Sequence, residues 1–312
     1  MIQLFNINNY ILDTSKYSNL LHDKVVTEFE ETIADYVGAK YAVSFNSATS
    51  AIFLLLSQYK ELVIDVPSMI PPVVLNAIIT SGNKYNFIDN ISWVGNSYIL
   101  HHFNDYKVVD SAQKLEKNQF KQECNPNDLM VFSFYPTKPV GSCDGGMIVS
   151  NDLNKIINLR EMALNGMSFS DNNWERKIKF PGYKMYMNSI QCDIALRNFK
   201  KYENKLEKLD KIKIKYNKAF NISNLSNHLF RVEVENRNSF LSFAKKNNIL
   251  CGIHYEAMHL NPIYKIKNLN LQKSEYTSKR TISLPFHEKL TNKDIISVIN
   301  LTKKWNDGFR DF

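Results

Sequence analysis

A chain of 312 residues, 44% hydrophobic and with a net charge of +8, can bury a large core as one big α/β unit or as a large domain with a smaller one. Its longest apolar runs, such as Ala51 to Leu56, are far too short to span a bilayer, so no membrane partner is expected. The lysines are scattered, and the densest stretch, Lys200 to Lys218, interleaves Glu203, Glu207 and Asp210. That is a solvated helix face rather than a nucleic-acid patch, while the positive excess suits an anionic small substrate.

MIQLFNINNY at the N-terminus has no basic region before its apolar residues and no small-residue cleavage site, which predicts a cytoplasmic protein. Cys124, Cys143, Cys192 and Cys251 lie far apart and form no CxxC pair. Reduced, mostly structural thiols are expected, and no metal.

Phe29, Ile33, Tyr36 and Val37 share one helical face, and Gly38 stops that helix. Tyr41 to Phe45 reads as a short strand, after which Asn46 or Ser47 caps a helix through Ala51 and Leu56. Leu62 to Val66 is a strand, and Pro71 or Pro72 suits the first turn of the next helix. Val108 and Val109 lead into Asp110; Leu129 to Phe134 and Gly146 to Ser150 are further extended segments. This rhythm predicts an α/β fold with a mostly parallel central sheet wrapped by helices.

Asn188 to Phe220 reads as one long helix, with Ile190 and Ile194 on one face and Phe199, Tyr202, Leu206 and Leu209 continuing the spacing. Beyond it come a strand over His228 to Val234, a helix over Ser239 to Lys246, and strands over Leu250 to Tyr255 and Thr281 to Pro285. Thr291, with Asp294 three residues on, opens a final helix. The expected division is a large α/β domain over residues 1–205 and a small C-terminal α+β domain over 206–312, the extreme N-terminus packing on the small one.

Four segments carry chemistry: SATSA from Ser47, DSAQ from Asp110, SFYPTK ending at Lys138, and CDGG from Cys143. Lys138 follows a strand and a proline turn, so it belongs at the carboxyl edge of the sheet, where open α/β sheets bind ligands. Asp110 ends an apolar strand at that edge. It either caps the next turn or serves as the partner of a protonated pyridine nitrogen, whose positive ring makes pyridoxal phosphate (PLP) an electron sink. Gln113 can reach the ring's phenolic oxygen. The helix start at Asn46 and Ser47 is an N-cap and also a ready anion site, with hydroxyls from Thr49, Ser50 and Ser133 nearby.

In this order and spacing the segments resemble the DegT/DnrJ/StrS family, the sugar aminotransferases of PLP fold type I, an aspartate aminotransferase-like fold. EFEETIADYVGAKYAVSFNSATSAIFLLL looks like the family's N-terminal block, VVDSAQ like its Asp–Ala–Ala–Gln segment and FSFYPTKPVGSCDGGMIVSND like its Lys block. PGYKMYMNSIQCDIAL looks like its dimer-contact block, and GIHYEAMHLNPIY and ISLPFHEKLTNKDI like its C-terminal blocks. The resemblance implies Lys138 as Schiff-base lysine, Asp110 as pyridinium partner, Gln113 on the phenolic oxygen, and Ala48, Thr49 and Ser133 around the phosphate. It further implies a homodimer that transfers an amino group from glutamate to a nucleotide-linked keto-deoxy sugar; a non-catalytic, sensory relative is the alternative.

Several positions depart from the family pattern. A ring-stacking aromatic often present in relatives falls near Pro71. Lys184 replaces an Asn that reaches the partner subunit's phosphate, and Tyr186 replaces an Arg. His254, Tyr255 and His259 lie in a block that borders the sugar site in relatives. Only Ile91 to Lys107 fill a gap where the family places a helix and a strand, which leaves the sheet one strand short or the pocket more open.

Overall fold

A computed structural model describes residues 1–169 and 176–308. Its first part runs α1 (Lys24–Val37), β1 (Tyr41–Phe45), α2 (Ala48–Ser57), β2 (Val63–Pro67), α3 (Pro72–Thr80), β3 (Lys84–Ile88), β4 (Tyr98–His102) and β5 (Lys107–Asp110). There follow α4 (Gln119–Glu123), β6 (Leu129–Ser133), β7 (Gly146–Ser150), α5 (Leu153–Ala163), β8 (Met167–Phe169), β9 (Arg176–Ile178) and α6 (Ser189–Phe199). The remainder is α7 (Tyr202–Phe220), β10 (Phe230–Glu233), α8 (Arg237–Lys246), α9 (Gln272–Arg280), β11 (Thr281–Leu284) and α10 (Asn292–Gly308).

Local chemistry sets the boundaries. The Asp23 carboxylate accepts the Val25 N–H at the start of α1, and Gly38 ends it in the left-handed conformation, φ 79°. Ser47 caps α2 by accepting the Ser50 N–H. Pro72 takes the first turn of α3 with Pro71 as N-cap. Thr291 and Asp294 exchange hydrogen bonds at the start of α10.

Five strands form the main sheet in the order β1-β7-β6-β5-β4, and β2 and β3 form a separate parallel pair. The α/β class stands, but the sheet is mixed rather than mostly parallel: only β5 and β6 pair in parallel, and the other three pairings are antiparallel. A strand joined to its neighbour without a crossover can only run back beside it. β7 returns from β6 that way, and β5 returns from β4 through a hairpin closed by the Phe103 N–H on the Tyr106 carbonyl, 2.8 Å. The short Ile91 to Lys107 segment contributes one strand to the sheet, β4, which pairs antiparallel with β5. The segment holds no helix among the described elements.

Alternate strand residues feed two cores on opposite faces. Val43, Phe45, Val131 and Ile148 join α2, α3 and α5 on one face, and Ala42, Met130, Phe132 and Met147 join α1 and α6 on the other. A third core gathers Leu209, Tyr216, Phe230, Phe240, Ile282 and Val298. The N-terminal chain lies against this part, with Ile2 bridged to Ile249 and Phe5 stacked on His228.

Two further expectations are corrected. The long helix is two helices, broken at Lys200 and Lys201, where Tyr202 turns inward and its hydroxyl donates to the Leu115 carbonyl at 2.8 Å. Leu250 to Tyr255 is not a strand; among the described residues its backbone pairs with β11 at the single Gly252–Ser283 bridge, and Leu250 bonds to Ile2 instead.

Candidate active site

Pairing register brings the candidate residues to one edge of the sheet. Ser133 pairs with Gly146, Gly146 pairs with Phe45, and Asp110 pairs with Val131. The carboxyl ends of β1, β5 and β6 thus open on the same side as the start of β7 and the start of β4.

Asp110 is 3% exposed. Its carboxylate accepts the Ala112 N–H at 2.9 Å. Burial pushes its pKa up, opposed by the Ala112 bond, by Tyr98 and by the charge of Lys138. Lys138 stands in a turn closed by its own N–H on the Tyr135 carbonyl. Burial brings its ammonium down to about 8, against the pull of Asp110. About a tenth of a lysine held there is free amine at pH 7, against well under a thousandth for an ordinary lysine, and the free amine is the state a nucleophile or a general base requires.

Ala48 and Thr49 form the first turn of α2, where the N–H groups are not consumed by the helix. Gly146 lies directly under them: a Cβ built on it would stand 2.4 Å from the Ala48 nitrogen. The Asn46 side-chain oxygen beside this turn is buried and has no hydrogen-bond partner among the described residues. Ser133 is half-buried, its hydroxyl accepting the Tyr135 N–H.

Gln113, 2% exposed, is already engaged on both ends of its amide. Its oxygen accepts the Gly95 N–H at 2.7 Å, and its nitrogen donates to the Tyr255 hydroxyl at 2.9 Å. One amide hydrogen is left over for a further acceptor. Lys184 is exposed, and the carbonyl of the next residue, Met185, accepts the Asn46 N–H at 2.8 Å.

His259 is a structural residue here, its ring joining Ser68 at 2.5 Å and Glu275 at 3.2 Å. His254 bonds Ser283, and burial together with Lys138 and Arg231 brings its pKa down to about 4. His228 is likewise pushed well down by burial and by Lys138. Both imidazoles are neutral neighbours of the lysine.

Three site residues escape a reading of motifs: Trp93, Gly95 and Tyr98. Trp93 donates its indole N–H to the Met69 carbonyl at 3.1 Å, two residues before Pro71, and lies parallel to the Tyr255 ring with centroids 6.0 Å apart. Pro71 itself has no aromatic ring to stack, but an indole from another segment stands close by. The only signal in the sequence was the apolar content of WVGNSYIL ahead of VVD.

A model of the DegT/DnrJ/EryC1/StrS aminotransferase family matches residues 5–92 and 107–303. The chain belongs to that family. The DegT/DnrJ/EryC1/StrS model leaves residues 93–106 unmatched, which is the segment holding Trp93, Gly95 and Tyr98. The chain is 24% identical to the UDP-4-amino-4,6-dideoxy-N-acetyl-beta-L-altrosamine transaminase of Campylobacter jejuni, across 90% of this chain and 91% of that one. Its fold is similar to that of PseC from Helicobacter pylori, an aminotransferase involved in pseudoaminic acid biosynthesis: TM-score 0.79, 21% identity, 98% and 100% coverage. It is also similar to that of the aminotransferase TlmJ from Streptoalloteichus hindustanus, with TM-score 0.84, 17% identity and 99% and 100% coverage.

The aminotransferase class, the fold and the cofactor expected from the sequence therefore stand, since PLP is the cofactor of DegT/DnrJ/EryC1/StrS enzymes. The residues at the sheet edge suit that group. They offer a buried carboxylate for a ring nitrogen, an amine near neutrality, and a helix start with a glycine under it and an unpartnered buried oxygen beside it.

Among the described residues no His, Cys, Asp or Glu cluster could hold a metal. None of the described helices is long and apolar enough to cross a membrane.

Proposed function

We propose that this protein transfers an amino group from glutamate to a keto-deoxy sugar linked to a nucleotide, with Lys138 as the Schiff-base lysine. The observation that carries this reading is the pair at the sheet edge: half-buried Lys138, its pKa brought down to about 8, faces the buried carboxylate of Asp110. PLP, when bound, supplies the electron sink that acidifies the donor's α-carbon. Asp110 would hold the ring nitrogen in its protonated state. Gln113 would donate its free amide hydrogen to the phenolic oxygen. Ala48, Thr49 and Ser133 would surround the phosphate. Lys138, as a neutral amine, would serve as the base that takes and returns the proton of the donor's α-carbon.

A cleft of about 1000 Å³ that includes Lys138 supports an anionic sugar nucleotide. Lys200, Lys201, Lys205, Lys208 and Lys289 also line it, and Glu288 is the one carboxylate among the described lining residues. The reading extends to a homodimer in which exposed Lys184 reaches the partner's phosphate in place of an Asn. It also takes residues 1–205 and 206–312 as two domains, a division supported by the separate core around Leu209, Phe230 and Val298.

Purified protein should be yellow and lose its visible band on adding glutamate, and a panel of nucleotide keto sugars should restore it. Lys138→Ala should be colourless and inactive. A colourless Lys138→Ala protein that still aminates a keto sugar would overturn the assignment of the lysine. A yellow wild type that converts with no amino donor would favour the sensory alternative.

A further inference from the structure

We propose that Tyr98 is a positioning residue for Asp110: its hydroxyl donates to the Asp110 carboxylate and keeps it charged against the ring nitrogen of the bound cofactor. The inference rests on Asp110 being the ring-nitrogen partner.

The geometry begins with the hairpin. Because β4 runs back along β5, Tyr98 pairs directly with Asp110 in the antiparallel register. Residues opposite each other in such a pair put their side chains on the same face, about 5 Å apart at Cβ. Trp93 packs edge-on to the Tyr98 ring at 4.8 Å between centroids and fixes the phenol from its other side. Tyr98 is 7% exposed, and its hydroxyl has no partner at regular hydrogen-bond geometry among the described residues. A buried hydroxyl in that state costs free energy unless it finds an acceptor. The acceptor in reach is Asp110: burial first, and then the Asp110 charge, pushes the phenol's pKa well up, while the phenol pulls the carboxyl down.

Asp110 needs that second donor. Its one backbone bond, from Ala112, is set against burial that favours the neutral acid. A neutral acid holds a pyridinium poorly. The other groups around the pair are accounted for. Lys138 faces Asp110 and titrates near 8, on the alkaline side. Tyr255 also faces Asp110, with its hydroxyl pushed up by burial and Arg231 pulling it down. His228 and His254 face Lys138, and burial together with that lysine pushes both pKa values down, His228 well down and His254 to about 4. Acidification also protonates Lys138 below about 8, so it is the part of the acid limb that moves when the Tyr98 hydroxyl is removed that reports Asp110. Tyr98 lies in the segment that the family model leaves unmatched, so this donor is a feature of this chain rather than of the family pattern.

The experiment is a PLP titration of the apoprotein from about pH 5 to about pH 9, following the visible band and quenching of tryptophan fluorescence. Tyr98→Phe keeps the ring against Trp93 and removes only the donor, so the apoprotein should melt within a few degrees of wild type. PLP affinity should fall about tenfold, the scale of a hydrogen bond to a charged group. The sign for pH follows from the loss of a bond to the charged form. The Asp110 pKa rises, so binding is lost at a pH about one unit higher as the solution is acidified. Incorporating 3-fluorotyrosine at position 98, a stronger donor, should move that limb to lower pH and serves as the second variant.

In an Asp110→Asn background, removing the hydroxyl should have no further effect. Wild-type affinity together with an unmoved acid limb in Tyr98→Phe would overturn the proposal. So would an equal loss in both backgrounds, which would make Tyr98 a packing residue. Asp110→Asn binding PLP as tightly as wild type would instead sink the assignment of Asp110 itself.

Discussion

Gly146 shows how little room the site leaves. Its missing side chain is what lets the first turn of α2 descend onto the start of β7, and the atoms a Cβ would meet belong to the Ser47–Ala48 backbone. Backbone cannot swing aside as the end of a long side chain can. Gly146→Ala should lift α2 and misalign the Ala48 and Thr49 N–H groups, at a cost of about 1–3 kcal/mol in urea denaturation. PLP affinity should fall at least about tenfold in the same variant, because the N–H groups of a helix start bind an anion only when they converge on it. Undiminished PLP affinity would separate this turn from the phosphate. Asp110 and Lys138 were legible at this scale, since each ends or follows an apolar strand and strand ends share an edge. Tyr98 and Gly95 were not: their places depend on the register of a hairpin, and no short motif encodes register.

Elements were legible where local chemistry alone decides them. β1 and β7 match their apolar runs residue for residue, and Gly38 and Ser47 mark their helix ends by side-chain and backbone chemistry that needs no tertiary partner. The failures needed one. Helical spacing runs unbroken through Lys200 and Lys201, with no Gly or Pro to mark the break between α6 and α7. The break comes from Tyr202, which is 1% exposed and sends its hydroxyl to the Leu115 carbonyl in a distant segment. Leu250 to Tyr255 looks extended by composition, but Ile2 takes the Leu250 N–H and leaves only a single bridge. Tyr202→Phe tests the first case. It strands a buried carbonyl, so stability should fall by about 1–3 kcal/mol in urea denaturation while PLP affinity stays unchanged. Native stability would place the cause of the break elsewhere.

At the scale of the whole molecule, the net charge of +8 suggested an anionic substrate without saying where it binds. The fold concentrates that charge by setting the Lys200–Lys208 stretch, which reads as a solvated helix face, against the loop of Lys138 and the N-terminal segment around Asn6. Lys205 is the inner member. Its ammonium donates to the Pro139 carbonyl at 2.8 Å and stands 4.0 Å from the Glu288 carboxylate, with burial lowering its pKa. Lys201 and Lys208 are exposed and free to meet a ligand's phosphates. A cleft of one sign attracts an anion through a field that salt screens over about 10 Å at 0.1 M. The KM for a nucleotide keto sugar should therefore rise several-fold on moving from low salt to about 0.5 M, where screening is stronger. Lys201→Glu combined with Lys208→Glu should raise it about tenfold at low salt and flatten the salt dependence, since the charge being screened has been reversed. The visible spectrum of the bound cofactor should stay as in wild type, because neither residue is among those assigned to hold it. Steady-state kinetics across a salt series decides the point: a KM insensitive both to salt and to the double reversal would move the nucleotide out of this cleft.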